Sequence, residues 1–253
     1  MAHYQIILAY DGTTFQGYQR QKSVRTVQGE VEAALRHLNW TASAITSAGR
    51  TDTGAHASGQ VIAFELDWSH SENELGRALN AILPEDVAVR SVKLAAAGFH
   101  PRYSATARTY QYHIYCQVDR HPLLERYAWR VWPEANLDLL QSAARMLVGK
   151  HDFSAFGKPP HAGGSTWRVV YGACWQPEAE GLRFEVSANA FLYHMVRRMV
   201  YLQVLVAQNQ LSLDGLAALV QGGSAAQSQT PGIAPAHGLV LVDVLYGEKR
   251  ELK

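Results

Sequence analysis

The spacing of apolar and polar residues along the chain predicts a repeating order of strands and helices. Strict alternation is typical of a half-buried strand, and an apolar residue every three or four positions is typical of a helix. In the first part of the chain these patterns predict, in order, a strand at 3–10, a helix at 26–38, strands at 43–49 and 59–66, a helix at 71–83 and a strand at 87–94. Thr26 and Ser71 are the predicted N-caps, and Glu74 completes a capping box with Ser71. The order β-α-β-β-α-β is the split βαβ motif.

The second part of the chain repeats that order, with one extra helix. The patterns predict, in order, a strand at 105–115, a helix at 136–148, a hairpin of strands at 167–175 and 182–188, helices at 191–209 and 212–220, and a closing strand at 238–246. The predicted fold class is therefore α+β, with two ferredoxin-like (RRM-like) halves joined into one extended, mainly antiparallel sheet. Helices would cover one face of that sheet and leave a broad cleft on the other. The predicted domains are residues 1–104 and 105–253.

Composition excludes several classes of protein. Of 253 residues, 47% are hydrophobic and 18% are charged, so the chain can bury a core and is not a disordered segment. The formal net charge is only +1, and any basic surface must come from clustering of the basic residues.

Cys116 and Cys174 lie among apolar residues and are expected to be buried free thiols. The N-terminus lacks the pattern of a signal peptide, and no stretch is apolar enough to span a bilayer. A cytoplasmic location is expected.

Asp52 is the first residue that could carry chemistry. It lies in the stretch SAGRTDTGAHASG, where small residues allow either a tight turn or the close approach of a large ligand. Arg50 is two residues earlier, and in an extended chain both side chains point to the same side. An ionised carboxylate serves as a nucleophile or a base. The alternative is a surface turn in which the aspartate only caps the backbone.

Tyr110 is the second candidate. On the strand 105–115 it shares a face with Arg108, and an aromatic ring beside a cation on a sheet can stack on a flat base. The alternative is that the ring fills the core, because aromatic residues are common in strands for packing reasons alone.

Arg197 is the third candidate, because it lies inside an otherwise apolar helix. Burying an arginine is costly unless it is paired, so a carboxylate partner is expected. The alternative is a side chain that extends along the helix surface to water. Arg198 points about 100° away around the helix and could equally be solvated.

A set of basic residues, several of them in loops beside aromatic residues, could contact phosphates. Its members are Arg20, Lys22, Arg25, Arg102, Arg108, Lys158 and Arg168. The alternative is an ordinary solvated face. No histidine or cysteine spacing indicates a metal site, and there is no glycine-rich phosphate loop or dinucleotide fingerprint, so no cofactor is expected.

Eight ordered stretches of the chain resemble the motifs of the tRNA pseudouridine synthase A family. They are YDGTTFQGYQRQ, TVQGEVEAAL, SAGRTDTGAHASGQVIAFE, LNAILPEDVAV, FHPRYSATARTYQY, HDFSAFGK, NAFLYHMVRRMV and APAHGLVLVDVLY. The resemblance covers nearly the whole chain, and its GRTDTGAHA core is specific. Two positions depart from the family pattern: Tyr18, where tryptophan is expected, and Ala55, where valine is expected.

The resemblance implies an isomerase that converts uridine to pseudouridine in tRNA, at about positions 38 to 40 of the anticodon stem-loop. By the same resemblance Asp52 is the essential aspartate and Tyr110 contacts the target base. Arg197 pairs with the aspartate, and Arg50 holds the flipped nucleotide open. The resemblance also implies a homodimer, with the sheet's open cleft binding RNA and no cofactor. Direct attack on C1′, attack on C6 and removal of the C2′ proton all stay open for Asp52.

Two other functions agree with parts of the sequence. The DTG triplet also occurs in aspartic proteases, but that chemistry needs two carboxylates sharing a proton, and only one such triplet is present. A non-catalytic RNA-binding module would also suit two four-stranded sheets.

Overall fold

The computed structural model of the chain describes residues 1–222 and 231–247. The chain divides into two compact units. The first holds Met1–Thr106 together with the C-terminal strand from Val240 onward, and the second holds the described residues of Ala107–Leu239. The domain boundary expected after residue 104 stays a prediction.

In the first unit, sheet pairing connects residues that are far apart in sequence. The strands are β1 (Ala2–Tyr10), β2 (Thr46–Ser47), β3 (His56–Leu66) and β4 (Val87–Leu94), and the helices are α1 (Val27–His37) and α2 (Glu72–Ile82). Strand β1 pairs antiparallel with β3 on one side and with β4 on the other. The short β2 pairs antiparallel with β3, and the C-terminal strand pairs parallel with the start of β3. The start of β3 is thus held on both sides, directly after the stretch that carries Asp52.

The two helices of the first unit begin where their predicted caps stand. The Thr26 hydroxyl accepts a hydrogen bond from the backbone N–H of Gly29. Ser71 and Glu74 form both bonds of the predicted capping box. These bonds satisfy backbone donors that have no partner within the helix, which fixes the first turn of each helix.

In the second unit, three consecutive strands pair in sequence order, and the last of them pairs with a strand from earlier in the chain. Its elements are β5 (Ala105–Tyr115), β6 (Trp129–Arg130), α3 (Leu137–Met146), β7 (Gly149–Asp152), β8 (Trp167–Glu178), β9 (Gly181–Ala188), α4 (Met195–Ala207) and α5 (Leu213–Val220), and the chain then continues into β10 (Leu239–Tyr246). Strand β9 pairs antiparallel with β5 and β8, and β8 pairs antiparallel with β7. The short β6 pairs parallel with β5. Helix α4 is buried along most of its length.

The predicted fold class is confirmed. The described residues form ten strands, largely antiparallel, and five α-helices. Two strands, β6 and β7, were not predicted, because two to four residues are too few to show a period. Within the described ranges, no helix has both the length and the apolar character needed to cross a membrane.

Two expectations about individual segments are wrong. Helix α4 begins at Met195, not near Phe191, because His194 has a φ of +66° and a left-handed residue cannot continue a right-handed helix. Cys174 is exposed and Cys116 is half-buried. Side chains alternate along β8, so the burial of Trp175 turns its neighbour Cys174 outward.

Candidate active site

Asp52 stands at the first position of a tight turn between β2 and β3. The backbone N–H of Ala55 donates to the carbonyl oxygen of Asp52 at 3.1 Å, which closes a four-residue β-turn. Gly54, at the third position, has a φ of +80°, the left-handed conformation that a type II turn requires there. Asp52 itself is half-buried, whereas Thr51 before it is buried. The small residues predicted to allow a turn or a close approach here form a turn.

A second loop, residues 12–18, is hydrogen-bonded to this turn and to the residue before it. The Tyr18 N–H donates to the carbonyl of Thr51 at 3.1 Å, and the Gly54 N–H donates to the carbonyl of Phe15 at 3.4 Å. Gly17 has a φ of +85° and lies so close to Thr51 that a Cβ there would be 3.2 Å from the Thr51 carbonyl oxygen. The backbone around Asp52 is therefore fixed by hydrogen bonds to another backbone segment, which few side-chain changes can remove.

Two buried side chains of the sheet, Tyr10 on β1 and Gln60 on β3, form hydrogen bonds to residues just before this turn. The Tyr10 hydroxyl and the Thr51 hydroxyl are 2.8 Å apart, and the Gln60 amide nitrogen donates to the carbonyl of Gly49 at 2.9 Å. Burial raises the pKa of Tyr10 to about 12, so the phenol is neutral at physiological pH and can donate. Neither Tyr10 nor Gln60 was among the residues predicted to matter. The available signal was a glutamine directly before the apolar run VIAF at 61–64.

Tyr10→Phe is expected to loosen the turn without unfolding the unit. Loss of one buried hydrogen bond costs about 1–2 kcal/mol of unfolding free energy, and we expect the turnover number to fall about threefold to tenfold. Tyr4→Phe is the matched control, because Tyr4 is also buried on β1 but at the far end of the strand from the turn. Urea unfolding and initial rates on tRNA give both quantities.

Thr51→Val completes a double-mutant cycle with Tyr10→Phe. Because the two hydroxyls contact each other, the double variant should lose little more than the worse single variant. Strictly additive losses would show that the contact between the two hydroxyls does not hold the turn.

Tyr110 lies in the second unit, on β5 opposite Val186 of β9. Its side chain is 9% exposed. Its ring meets Phe191 edge-on, at 5.0 Å between centroids and an interplanar angle of 86°. Arg108, two residues earlier, donates to the carbonyl of Asn189 at 2.9 Å. The tyrosine is thus packed against the segment that precedes α4.

Arg197 is half-buried on α4 in the same unit, and its Nε donates to the carbonyl of Ala234 at 2.7 Å. The N–H of Ala234 donates back to the carbonyl of Arg197 at 3.2 Å, so helix and segment hold each other. Arg198 is not solvated: its side chain is buried, it donates to the carbonyl of Gly232 at 2.6 Å, and burial lowers its pKa. Pairing of Arg197 with Asp52 stays a prediction.

The predicted phosphate-contacting residues differ in exposure. Those that are exposed are Arg20, Lys22, Arg102 and Lys158. Side-chain hydrogen bonds to groups of the protein are made by Arg20 with Glu32, Arg25 with Asp86 and Glu30, Arg108 with Asn189, and Arg168 with Ser165 and Trp167.

Arg25 has a structural role in the first unit. It makes two bonds to the Asp86 carboxylate, at 2.6 and 2.8 Å, which lower the pKa of that carboxyl. Its guanidinium also lies 4.3 Å from the centroid of the Phe15 ring, and the Phe15 carbonyl accepts from Gly54. The arginine thereby helps to hold the 12–18 loop, which is hydrogen-bonded to the Asp52 turn.

Arg50, two residues before Asp52, is exposed.

In the first unit, the half-buried Asp52 carboxylate on its rigid turn can support acid–base or nucleophilic chemistry. In the part of the chain that the structure describes, no group of three or more His, Cys, Asp or Glu side chains could hold a metal ion.

Comparison with known proteins identifies the family. A family described as tRNA pseudouridine synthase matches residues 6–104 and 143–247. The chain is 38% identical over 252 residues to tRNA pseudouridine synthase A of Roseiflexus sp. (strain RS-1), covering 98% of this chain and 92% of that protein. It is 39% identical over 239 residues to the enzyme of that name from Aeromonas hydrophila, covering 94% and 88%. It is 36% identical over 244 residues to that of Bacillus subtilis (strain 168), covering 94% and 97%.

Among solved structures, a chain from the crystal structure of a Cbf5-Nop10-Gar1 complex aligns with a TM-score of 0.36 and 13% identity. That alignment covers 79% of this chain and 44% of the other, and the likeness is too weak to support a conclusion.

The sequence matches extend over nearly the whole chain, and they include the turn that carries Asp52 as well as the helix that carries Arg197. Neither a protease nor a binding module without catalytic activity agrees with such matches. The chain belongs to the tRNA pseudouridine synthase family and is an isomerase that forms pseudouridine in tRNA.

Proposed function

We propose that the chain converts uridines at about positions 38 to 40 of the tRNA anticodon stem-loop, with Asp52 as the nucleophile or base. The observation that carries the proposal is the GRTDTGAHA stretch, in which Asp52 stands at the head of a turn held by backbone bonds from residues 12–18. A carboxylate on a rigid element can be positioned against one sugar carbon, which is what a reaction at a glycosidic bond requires.

Base flipping is part of the proposal because a stacked uridine hides both reacting carbons. Extrusion of the nucleotide costs a few kcal/mol. Arg50, exposed and two residues from Asp52, is suited to occupy the vacated space and bind a phosphate. Tyr110 contacts the flipped base and offsets part of that cost. Arg197 pairs with the Asp52 carboxylate.

The reaction balances without an external reagent. The bond from N1 to C1′ breaks, a bond from C5 to C1′ forms, the proton on C5 leaves, and N1 gains a proton. No electrons enter or leave the substrate, so the step needs no oxidant or reductant, and the proposed mechanism uses no cofactor. Direct attack on C1′, attack on C6 and removal of the C2′ proton all place the same carboxylate beside the ribose or the base.

We propose further that Lys22, Arg102 and Lys158 contact the tRNA backbone, because all three are exposed cations. Each such contact should contribute about one unit to the slope of log affinity against log salt. The working form of the enzyme is proposed to be a cytoplasmic homodimer.

Mapping of the modified positions tests the proposed substrate site. An unmodified tRNA transcript with uridines in the anticodon arm is incubated with the enzyme, treated with a carbodiimide that labels pseudouridine, and copied by reverse transcriptase. We expect stops at about positions 38 to 40, and no stops when those uridines are replaced by cytidine. Modification confined to another arm of the tRNA would contradict the proposed substrate site.

A further inference from the structure

We propose that Tyr193 stacks on an unpaired tRNA base next to the flipped uridine, with Lys158 at a neighbouring phosphate; the inference rests on the proposed function. Tyr193 is 59% exposed, although the helix that begins two residues later is buried along most of its length. A large aromatic side chain at such a place contributes little to the core. Its exposure leaves the ring available for contact with another molecule.

The backbone around Tyr193 is fixed. The Tyr193 N–H donates to the carbonyl of Lys158 at 2.9 Å, and the two residues form an isolated β-bridge. Gly157 is required beside this bridge, because a Cβ at that position would overlap the carbonyl oxygen of Tyr193. His194 has a left-handed φ of +66°, which turns the chain into α4. The tyrosine is thus presented by a rigid backbone and loses little freedom on binding.

The ring itself is also held. It stacks on the His194 ring at 3.6 Å between centroids and an interplanar angle of 28°. One face of the phenol is covered by the imidazole, while the side chain as a whole stays exposed. An aromatic ring backed by another ring is a suitable platform for a third flat group.

The position of Tyr193 in the chain relates it to the proposed base-contacting residue. Phe191, two residues earlier, packs edge-on against Tyr110. Asn189, at the start of the same segment, accepts a hydrogen bond from Arg108, which lies two residues before Tyr110 on β5. Segment 189–194 thus runs from the surroundings of Tyr110 to the exposed ring. A base bound by Tyr193 would be a near neighbour of the nucleotide at Tyr110.

The chemistry of the partner follows from the two exposed groups. A flat aromatic ring binds any nucleobase through its π-face, and the exposed ammonium of Lys158 suits a phosphate. Single-stranded RNA combines both features at adjacent sites, and the unpaired anticodon loop borders the proposed target uridines. Stacking on one base is worth about 5- to 150-fold in affinity.

The test measures binding of fluorescently labelled tRNA to the wild type, Y193F, Y193L and Y193A. We expect Y193F to bind within about twofold of wild type, and Y193L and Y193A to bind about 5- to 50-fold more weakly. Tyr127→Leu is the matched control, because Tyr127 is an exposed tyrosine of the same unit and its loss should leave affinity unchanged. Thermal unfolding confirms that each variant is folded.

A second set of tRNAs, assembled from synthetic fragments, carries one abasic site at each unpaired anticodon-loop position in turn. At one position, loss of the base should weaken binding by the wild type about as much as Y193A does, and should weaken Y193A no further. Equal losses for the wild type and Y193A at every position, or wild-type affinity of Y193A, would overturn the inference.

The proposed function can fail separately from this inference. Pseudouridine at about positions 38 to 40 with unchanged binding by Y193A would overturn the role of Tyr193 alone. Absence of pseudouridine from the anticodon arm under wild-type enzyme would overturn the proposed substrate site and, with it, this inference.

Discussion

Asp52→Asn is expected to lower the rate of pseudouridine formation by at least about 100-fold, because a positioned acid–base group alone contributes about 10² to 10⁴. A larger loss is expected if the carboxylate attacks carbon directly. Asparagine keeps the size of the side chain and the turn closed by the Asp52 carbonyl and the Ala55 N–H, so only the charge and basicity are lost. Chromatography of nucleosides from digested tRNA measures the product.

Binding of tRNA by Asp52→Asn should stay within about threefold of wild type, since phosphate contacts supply much of the affinity. Asp67→Asn is the matched control, because it removes an exposed carboxylate after β3 in the same unit and should retain wild-type turnover. A parallel loss of binding and turnover would instead place Asp52 in substrate capture, and activity above a few per cent of wild type would contradict its catalytic role.

Gly12→Ala is expected to have the second largest effect, this time through the fold. A Cβ at Gly12 would overlap the carbonyl oxygen of Ala55, the last residue of the Asp52 turn. The obstacle is backbone, so no side-chain rotation can relieve it. Gly12 also donates its N–H to Nδ1 of the buried His56 at 3.0 Å, directly after the turn. Either the turn moves or the 12–18 loop separates from it.

We expect Gly12→Ala to lower the free energy of unfolding by about 3 kcal/mol, at the upper end of typical overpacking losses, and to reduce turnover at least tenfold. Gly172→Ala is the matched control. A Cβ at Gly172 meets nothing within 4 Å and the residue lacks a positive φ, so stability should change by less than about 1 kcal/mol. Urea unfolding and initial rates compare the two variants. Wild-type stability and activity in Gly12→Ala would show that the two loops are not tightly packed.

Local sequence signals predicted much of the first unit. The helices at 26–38 and 71–83 have strong caps and a clear apolar stripe, and the structure places them at Val27–His37 and Glu72–Ile82. The strand expected at 43–49 shortens to Thr46–Ser47, and beyond it the Ala48 N–H still donates to the carbonyl of Val61 on β3. Backbone conformation without a composition signal, such as the left-handed φ of His194, could not be predicted.

Contacts between residues that are far apart in the sequence could not be predicted from sequence patterns. Arg25 was predicted to contact phosphate. The structure shows that its guanidinium binds Asp86, 61 residues away, and packs on the Phe15 ring of the 12–18 loop. The hydroxyls of Tyr10 and Thr51 meet across 41 residues. The turn at Asp52 could be predicted because the motif around it is contiguous. The roles assigned to Asp52, Arg50, Tyr110 and Arg197 stay predictions.

Release of tritium from tRNA labelled with [5-³H]uridine, with enzyme in excess over tRNA, tests the chemical role of Asp52 most directly, because the C5 proton must leave whichever route the carboxylate takes. We predict rapid release by the wild type and by Asp67→Asn, and release at least about 100-fold slower by Asp52→Asn under saturating conditions. Release by Asp52→Asn at more than a few per cent of the wild-type rate would contradict the proposal that this carboxylate performs the reaction.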